Sequence, residues 1–239
     1  MEQNKTGKYF KYAIGEIVLV VIGILIALSI NNWNQERINR NAEIKLLGEL
    51  KNDLNVTLKE LDGDMDYLQR TIDSGTVIIE RIQAGMKYKP SFQNSFSGMT
   101  NFSPIWARSI AYDNLKSIGI DKITNDSIRF MVTELYGQRL LRVQAIQQSL
   151  MSTIINFNRA WHKEIIPIGK HENGITIFGP KNFENIKNNP TAINLFLQVQ
   201  NSRIFMLRIY NWLKELVMKL NTELEIELSE SNKISKSDL

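Results

Sequence analysis

The chain contains no cysteine and only two histidines, His162 and His171. The first absence excludes disulfides, iron–sulfur clusters and thiolate chemistry, and it leaves the redox compartment open. Together the two argue against a zinc site of ordinary ligand composition. No HExxH, GxSxG, P-loop or GxGxxG is present, so the motifs that announce metalloprotease, hydrolase or nucleotide chemistry are missing. Low-complexity blocks are lacking as well. Charge of one sign is nowhere concentrated: the formal net charge of +4 is dispersed along 239 residues, whereas a nucleic-acid surface needs a clustered basic stripe. The stretch "DGDMDYLQRTID", residues 62–73, opens like a calcium loop with Asp62, Asp64 and Asp66. Tyr67 stands where such a loop needs glycine and Asp73 where it needs glutamate. It reads instead as a solvated helix face. These absences predict a protein that is not an enzyme, holds no metal or cofactor, and binds no nucleic acid.

What is present begins with a local apolar surplus. Residues 13–30, "AIGEIVLVVIGILIALSI", hold twelve Ile, Leu or Val and a single charge, Glu16. Eighteen helical residues reach about 27 Å, close to the hydrocarbon thickness of a bilayer. Tyr9, Phe10 and Tyr12 precede the run and Trp33 follows it, as interfacial aromatics do. Twelve aliphatics favour insertion by about 5 kcal/mol, against about 3 kcal/mol for an acid at the centre. Glu16 lies near the boundary, so insertion wins. The sequence predicts a short tail over 1–12 and a transmembrane signal anchor over 13–30, with the lipid bilayer as its partner.

Glu16 has two readings. It is an interfacial acid beside Lys8 or Lys11, or it is a helix–helix contact in an oligomer or with another protein's span. Gly15 and Gly23 are small, Gly23 and Ala27 have the spacing that lets helices approach closely, and Glu16 shares a face with Gly23. Gly15, Glu16, Gly23 and Ala27 are therefore the candidate membrane contact. Ala27-Leu28-Ser29 also fits a signal-peptidase site, although the helical pattern runs on through "NNWNQERINRNAEIKLL". Lysines 5, 8 and 11 nearly balance Arg37, Arg40 and Lys45. The layout of a short tail before a large domain favours a domain outside the cytoplasm, in the periplasm of a bacterial inner-membrane protein.

"KYAIGEIVLVVIGILIALSINNWNQER" and "AYDNLKSIGIDKITNDSIR", residues 111–129, resemble the signatures of a family of uncharacterised bacterial membrane proteins typical of Bacteroidetes, domain-of-unknown-function family 6090. The resemblance implies a single-pass helical membrane protein. It brings no activity, cofactor or catalytic residue.

Beyond the anchor, Leu47, Leu50, Leu54, Leu58, Leu61, Met65, Leu68 and Ile72 recur at helical spacing, so the anchor helix is expected to continue to Asp73 or beyond. Gly75 is a candidate bend. The four-residue step from Leu54 to Leu58 interrupts a strict seven-residue repeat. A second helix is expected after "TND", capped by Asn125 or Asp126, with the stripe Tyr136, Leu140, Val143, Leu150, Ile154, Phe157 and Trp161 and Gln147 as its polar exception. A third is expected from "NNPT", capped by Asn189, with Val199, Met206, Ile209, Leu213, Leu216 and Leu220 inward. The predicted fold is all-α: a transmembrane helix continuing into an elongated antiparallel bundle over 31–228. Within it lie an irregular aromatic-rich segment at 85–105, a short helix over 106–117 and a small hairpin within 170–185. Residues 229–239 are expected to be disordered.

Tyr88, Phe92, Phe96, Phe102, Trp106 and Tyr112 read as aromatics sealing one end of the bundle. Alternatively Tyr88, Trp106 and Tyr112, with Arg108 and Asp113, form a pocket or partner surface. The expected function is that of a membrane-anchored helical scaffold or accessory subunit of a cell-envelope assembly, acting as a homo-oligomer or in a complex with envelope membrane proteins. The alternative is an extracytoplasmic ligand-binding or sensor-like module.

Overall fold

A computed structural model describes residues 5–99, 104, 107–170, 174 and 176–237. Helix α1 runs without interruption from Lys5 to Gln83. Over Ile14 to Asn39 it is exposed on every side, and its apolar window has none of its length covered. Burial begins at Arg40 and Glu43, where the rest of the chain closes onto one face. The helix stops at a left-handed Gly85 (φ 65°), whose neighbour Met86 returns its N–H to the Arg81 carbonyl at 3.0 Å, as helix-ending glycines do.

The inward row of α1 is Glu43, Leu47, Leu50, Leu54, Thr57, Leu61, Leu68, Thr71, Gly75, Ile78 and Ile82, with half-buried Asp64 continuing it. Steps of four and three alternate throughout, a seven-residue repeat suited to slightly tilted helix packing. The expected interruption at Leu58 is absent because Thr57, not Leu58, turns inward. Its hydroxyl accepts the Arg108 N–H at 3.2 Å, a role that leucine cannot fill.

The chain then comes back down α1. A 3₁₀ turn at Pro90–Phe92 leads into α2 (Gln93–Met99), and α3 follows at Ile110–Ile118. Gly98 lies against Ser74, Arg108 N–H bonds Thr57, Ala111 N–H bonds Asp53, and Thr124 N–H bonds Glu43. The partner number falls as the chain number rises, so the described residues between 93 and 124 form an antiparallel strut. Much of the segment expected to be irregular is therefore helical, and the short helix starts at Ile110 rather than at 106.

After a turn capped by Asn125, α4 (Asp126–Glu134), a π-helical turn (Leu135–Arg139) and α5 (Leu140–Trp161) rise as one rod. Its inward row follows the predicted one except that Leu140 is half-buried and Leu135 is buried as well, and Gln147 donates to the Tyr210 hydroxyl at 2.8 Å. Strands β1 (Ile165–Lys170) and β2 (Thr176–Pro180) form an antiparallel hairpin with an irregularity between Pro167 and Gly169. It begins earlier than the predicted 170–185 because Pro167 is accommodated at this irregularity rather than ahead of the strands. The Phe178 N–H donates to Ser97 Oγ at 2.8 Å and ties the hairpin to α2.

A five-residue helix, α6 (Phe183–Lys187), precedes α7 (Pro190–Ser237), which Asn189 caps through the Thr191 and Ala192 N–H groups. Helix α7 descends against α1: Gln200 meets Thr76, Lys214 meets Asp62, Asn221 meets Asn55 and Glu225 meets Lys51. Its inward row is Ala192, Phe196, Val199, Arg203, Met206, Tyr210, Leu213, Val217, Leu220 and Leu224, again a seven-residue repeat. Ile209 and Leu216, expected inward, are only half-buried. The tail expected to be disordered continues as helix to Ser237, held where Arg40 donates to Ser231 Oγ at 2.8 Å. The architecture is an all-α up-down-up-down bundle on a long N-terminal helix, with the broken strut 93–124 as its second member.

Gly75 does not bend α1. It admits α7: a Cβ there would lie 2.3 Å from Gln200 Oε1, while Gln200 Nε2 donates to the Ile72 carbonyl at 2.6 Å and to Thr76 Oγ1 at 2.8 Å. Gly75→Ala is expected to destabilise by about 1 kcal/mol, because dislodging a buried amide costs about 1–3 kcal/mol and outweighs the roughly 1 kcal/mol that alanine gains in a helix. In a Gln200→Ala background the same change should stabilise by about 1 kcal/mol. Denaturation of the four variants checks this; equal effects in both backgrounds would exclude the contact.

Candidate functional site

The membrane contact predicted at Gly15, Glu16, Gly23 and Ala27 lies on bare helix. All four are exposed, and a Cβ at Gly15 or Gly23 would meet nothing within 4 Å. The residues proposed as a pocket are not brought together. Tyr88 is at the far end, where its ring lies 5.8 Å from Phe92 and 5.7 Å from Phe183. Phe92 and Phe96 are fully buried and belong to the core, with the Arg81 guanidinium 4.0 Å above the Phe92 ring. Arg108, Tyr112 and Asp113 sit instead beside Thr57 and Asp53, about 40 Å down α1 at 1.5 Å per residue. Phe102, Trp106 and His171 lie outside the described residues, and His162 is exposed, its Nδ1 2.7 Å from the Arg159 carbonyl.

The Arg108–Asp113 group is held by α1. Asp53 Oδ2 accepts the Ala111 N–H at 2.9 Å, which satisfies a donor in the first turn of α3. Ser109 Oγ donates to Asp113 Oδ2 at 2.9 Å. Tyr112 stacks on Tyr136 with centroids 4.4 Å apart and an 8° interplanar angle. The π-helical turn around Tyr136 presents its ring there. Burial, then the carboxylates of Asp53 and Asp113, push the Tyr136 phenol well above its ordinary value, so it stays neutral. Arg108 itself is exposed beside an open groove with Lys59 and Glu60. The arrangement positions α3; it aligns no nucleophile with a base.

Two polar centres were not read from the sequence. The first is a node at the lower end of the bundle. Arg40 donates to Glu43 Oε2 at 2.8 Å, to Thr124 Oγ1 at 2.9 Å, and to Glu227. Thr124 donates its N–H to Glu43 Oε1 at 2.7 Å, and Asn125 Nδ2 donates to Glu227 Oε2 at 2.8 Å while its Oδ1 caps α4. Burial opposes the Arg40 charge, but the hydrogen bonds to Glu227 and Glu43 outweigh it and hold the guanidinium above its ordinary value. The same bond from Arg40, then that from Asn125, hold the Glu227 carboxyl below its usual range. The second centre is Arg203, fully buried in the inward row of α7 with Nη2 3.4 Å from the Gly98 carbonyl. Burial pulls its guanidinium down to about 10. Its signal was available: it falls four residues after Val199 and three before Met206, inside an apolar stripe.

Among the described residues, no group of three or more His, Cys, Asp or Glu is arranged to hold a metal ion. The geometry defines a class, a helical bundle built on a helix long and apolar enough to cross a membrane. The chain belongs to a family of unknown function (DUF6090), whose model matches residues 16–145. No curated protein and no solved structure matches it. The matched stretch contains α1 from Glu16, the descending strut, and the Arg40, Glu43, Thr124 and Asn125 contributions to the node.

Glu227→Gln is expected to cost about 1.5–3 kcal/mol at pH 7, the value of hydrogen bonds to a charged group. The lowered folded pKa means that Glu227 contributes stability above its unfolded value near 4.5 and loses it as pH falls through the folded value. The gap between wild type and variant should therefore close below about pH 4.5. A gap that stays constant from pH 7 to pH 3 would exclude the charged bond.

Proposed function

We propose that this protein is a membrane-anchored helical interaction protein, a scaffold or accessory subunit of a bacterial cell-envelope assembly, with residues 13–30 in the inner membrane and the bundle in the periplasm. The observation that carries the reading is the continuity of α1 from its wholly exposed apolar window into the bundle. Displacement of the span is then transmitted to the bundle along a helix with no hinge. Exposed Gly23 and Ala27 leave one face of the span open to close helix contact.

The test is affinity purification of the full chain from native membranes in mild detergent, with mass spectrometry and light scattering. A stoichiometric envelope protein in the eluate is expected, and Gly23→Leu should lower its recovery. Unchanged recovery would reduce the span to an anchor.

A second reading, an extracytoplasmic ligand-binding module, draws on a cavity of about 250 Å³ between the end of α5 and the hairpin, lined by Phe157, Trp161, Ile165, Pro167 and Phe178. The Trp161 Nε1 donor is buried there with no acceptor among the described residues. A homo-oligomer eluting with nothing attached would favour this reading, and a thermal-shift screen without a stabilising compound would remove it.

A further inference from the structure

The outer side of the α5–α7 seam carries a second row of apolar side chains. On α7, Phe205 and Trp212 are 51% and 37% exposed, and half-buried Ile209 and Leu216 alternate with them. Steps of four, three and four place the four on one line of the helix. The Arg139 guanidinium, held by Glu134, lies 5.0 Å above the Trp212 ring, which fixes this line at the seam. Arg142 and Ile146 follow Arg139 at helical spacing on α5.

Down to Lys214 the charge around this row is one-sided, and exposed Glu215 marks its lower end. No aspartate or glutamate occurs from Leu140 to Lys163 or from Asn185 to Lys214. Exposed Arg142 and exposed Arg208, the latter three residues after Phe205, form no ion pair among the described residues. Where α7 meets α1, by contrast, the facing charges are paired: Lys214 with Asp62, Lys51 with Glu225 and Arg40 with Glu227. An apolar row at this spacing is what an amphipathic helix lies along, and unmatched flanking cations select acidic neighbours on it.

We infer that the α5–α7 seam docks an amphipathic helix of another protein whose apolar stripe is flanked by aspartate or glutamate. This rests on the interaction-protein reading and names where the partner binds and what its binding element is. A lipid surface does not fit. Lys214 is level with Asp62, 32 residues beyond Ile30, so the row stands about 45 to 60 Å from the end of the apolar run and lies along the bundle axis. A second upright copy does not fit either. Level with the row, its α1 exposes Glu60, Asp66 and Asp73 but no large apolar side chain beyond Ile38, and its other acidic stretch, Glu223 to Glu230, sits about 10 to 20 Å below Leu216.

The test replaces Phe205 with a benzophenone-bearing residue in the full chain in native membranes, with Lys59, exposed on α1, as the control position. The crosslinked peptide is sequenced after irradiation. An adduct is expected at 205 and not at 59, on a segment of a different protein with apolar residues three and four apart and acidic residues beside them. Arg142→Glu with Arg208→Glu should reduce its yield at least tenfold without changing the thermal unfolding of the protein. Adducts to lipid, to a second copy or to a segment without that chemistry would overturn the assignment. So would no adduct above the control, or a yield indifferent to charge reversal. If a partner co-purifies yet crosslinks elsewhere, the seam is wrong and the interaction reading stands; if nothing co-purifies, both fail.

Discussion

A helix that continues unbroken from an apolar run into a folded domain restricts everything that follows it. No turn exists in α1 before Gln83, so the strut 93–124 and α7 must each find α1 along its length, and α5 must complete the enclosure. The seven-residue repeat from Glu43 to Ile82 supplies the line on which this happens. Each leucine sealed into it contributes about 1.5–3 kcal/mol relative to exposure. Below Arg40 that line has no counterpart, and α1 stands alone for about 15 Å beyond Ile30. The Arg40 node is therefore the closing contact of the bundle: it joins the return of the strut, the start of α4 and the last turns of α7 to the first buried position of α1.

An apolar repeat alone does not choose its register, since sliding α7 by one seven-residue step against α1 would pair leucine with leucine again. The polar members of the rows remove that freedom. Gln200 reaches Ile72 and Thr76 only opposite Gly75, Gln147 reaches Tyr210, and Thr57 and Asp53 meet the N–H groups of residues 108 and 111. A slipped register strands each buried group at about 1–3 kcal/mol apiece, a larger penalty than the apolar contacts impose. Arg203 and Glu43 act in the same way at the two ends of the assembly.

The long helices were legible because their apolar spacing is local information. The α5 row was legible from Val143 to Trp161, and Asn189, and Asn125 beside its alternative Asp126, were recognisable as caps because their helices start beside them. What failed was long-range. Leu58 and Thr57 compete for one inward position, and composition favours leucine; the winner is set by the Arg108 N–H, fifty-one residues away. Residues 93–118 hold too few apolar periods to show that they run along α1, so their helices were taken in part for loop. The node was invisible for the same reason, since Arg40 and Glu227 lie 187 residues apart. The serine- and lysine-rich end of α7 looked unstructured because its helix is held by one contact, from Arg40 to Ser231. Of the candidate site, the residues on the span lie on an uncovered helix, whereas Tyr88 and Tyr112 lie far apart along α1 because one packs with Phe92 and Phe183 and the other with Tyr136.

The distribution of charge with height completes the physical picture. In the lower half, α7 carries Glu215, Glu223, Glu225, Glu227 and Glu230, and α1 answers with Lys51 and Arg40. Of these, Glu225 and Glu227 reach across to α1 and hold the bundle together. In the upper half, α7 and α5 carry no acid at all, and their outward arginines stand beside aromatic side chains that the fold leaves uncovered. Solubility alone would be served as well by mixed charge around single apolar residues. A basic border along the apolar row above Lys214 adds nothing to the stability of the bundle. It adds selectivity toward whatever lies along the row, because a helix with basic flanks is repelled while one with acidic flanks is drawn in. The lower half thus pairs charge across its helix contacts, whereas the upper half sets unpaired arginines beside an uncovered apolar row.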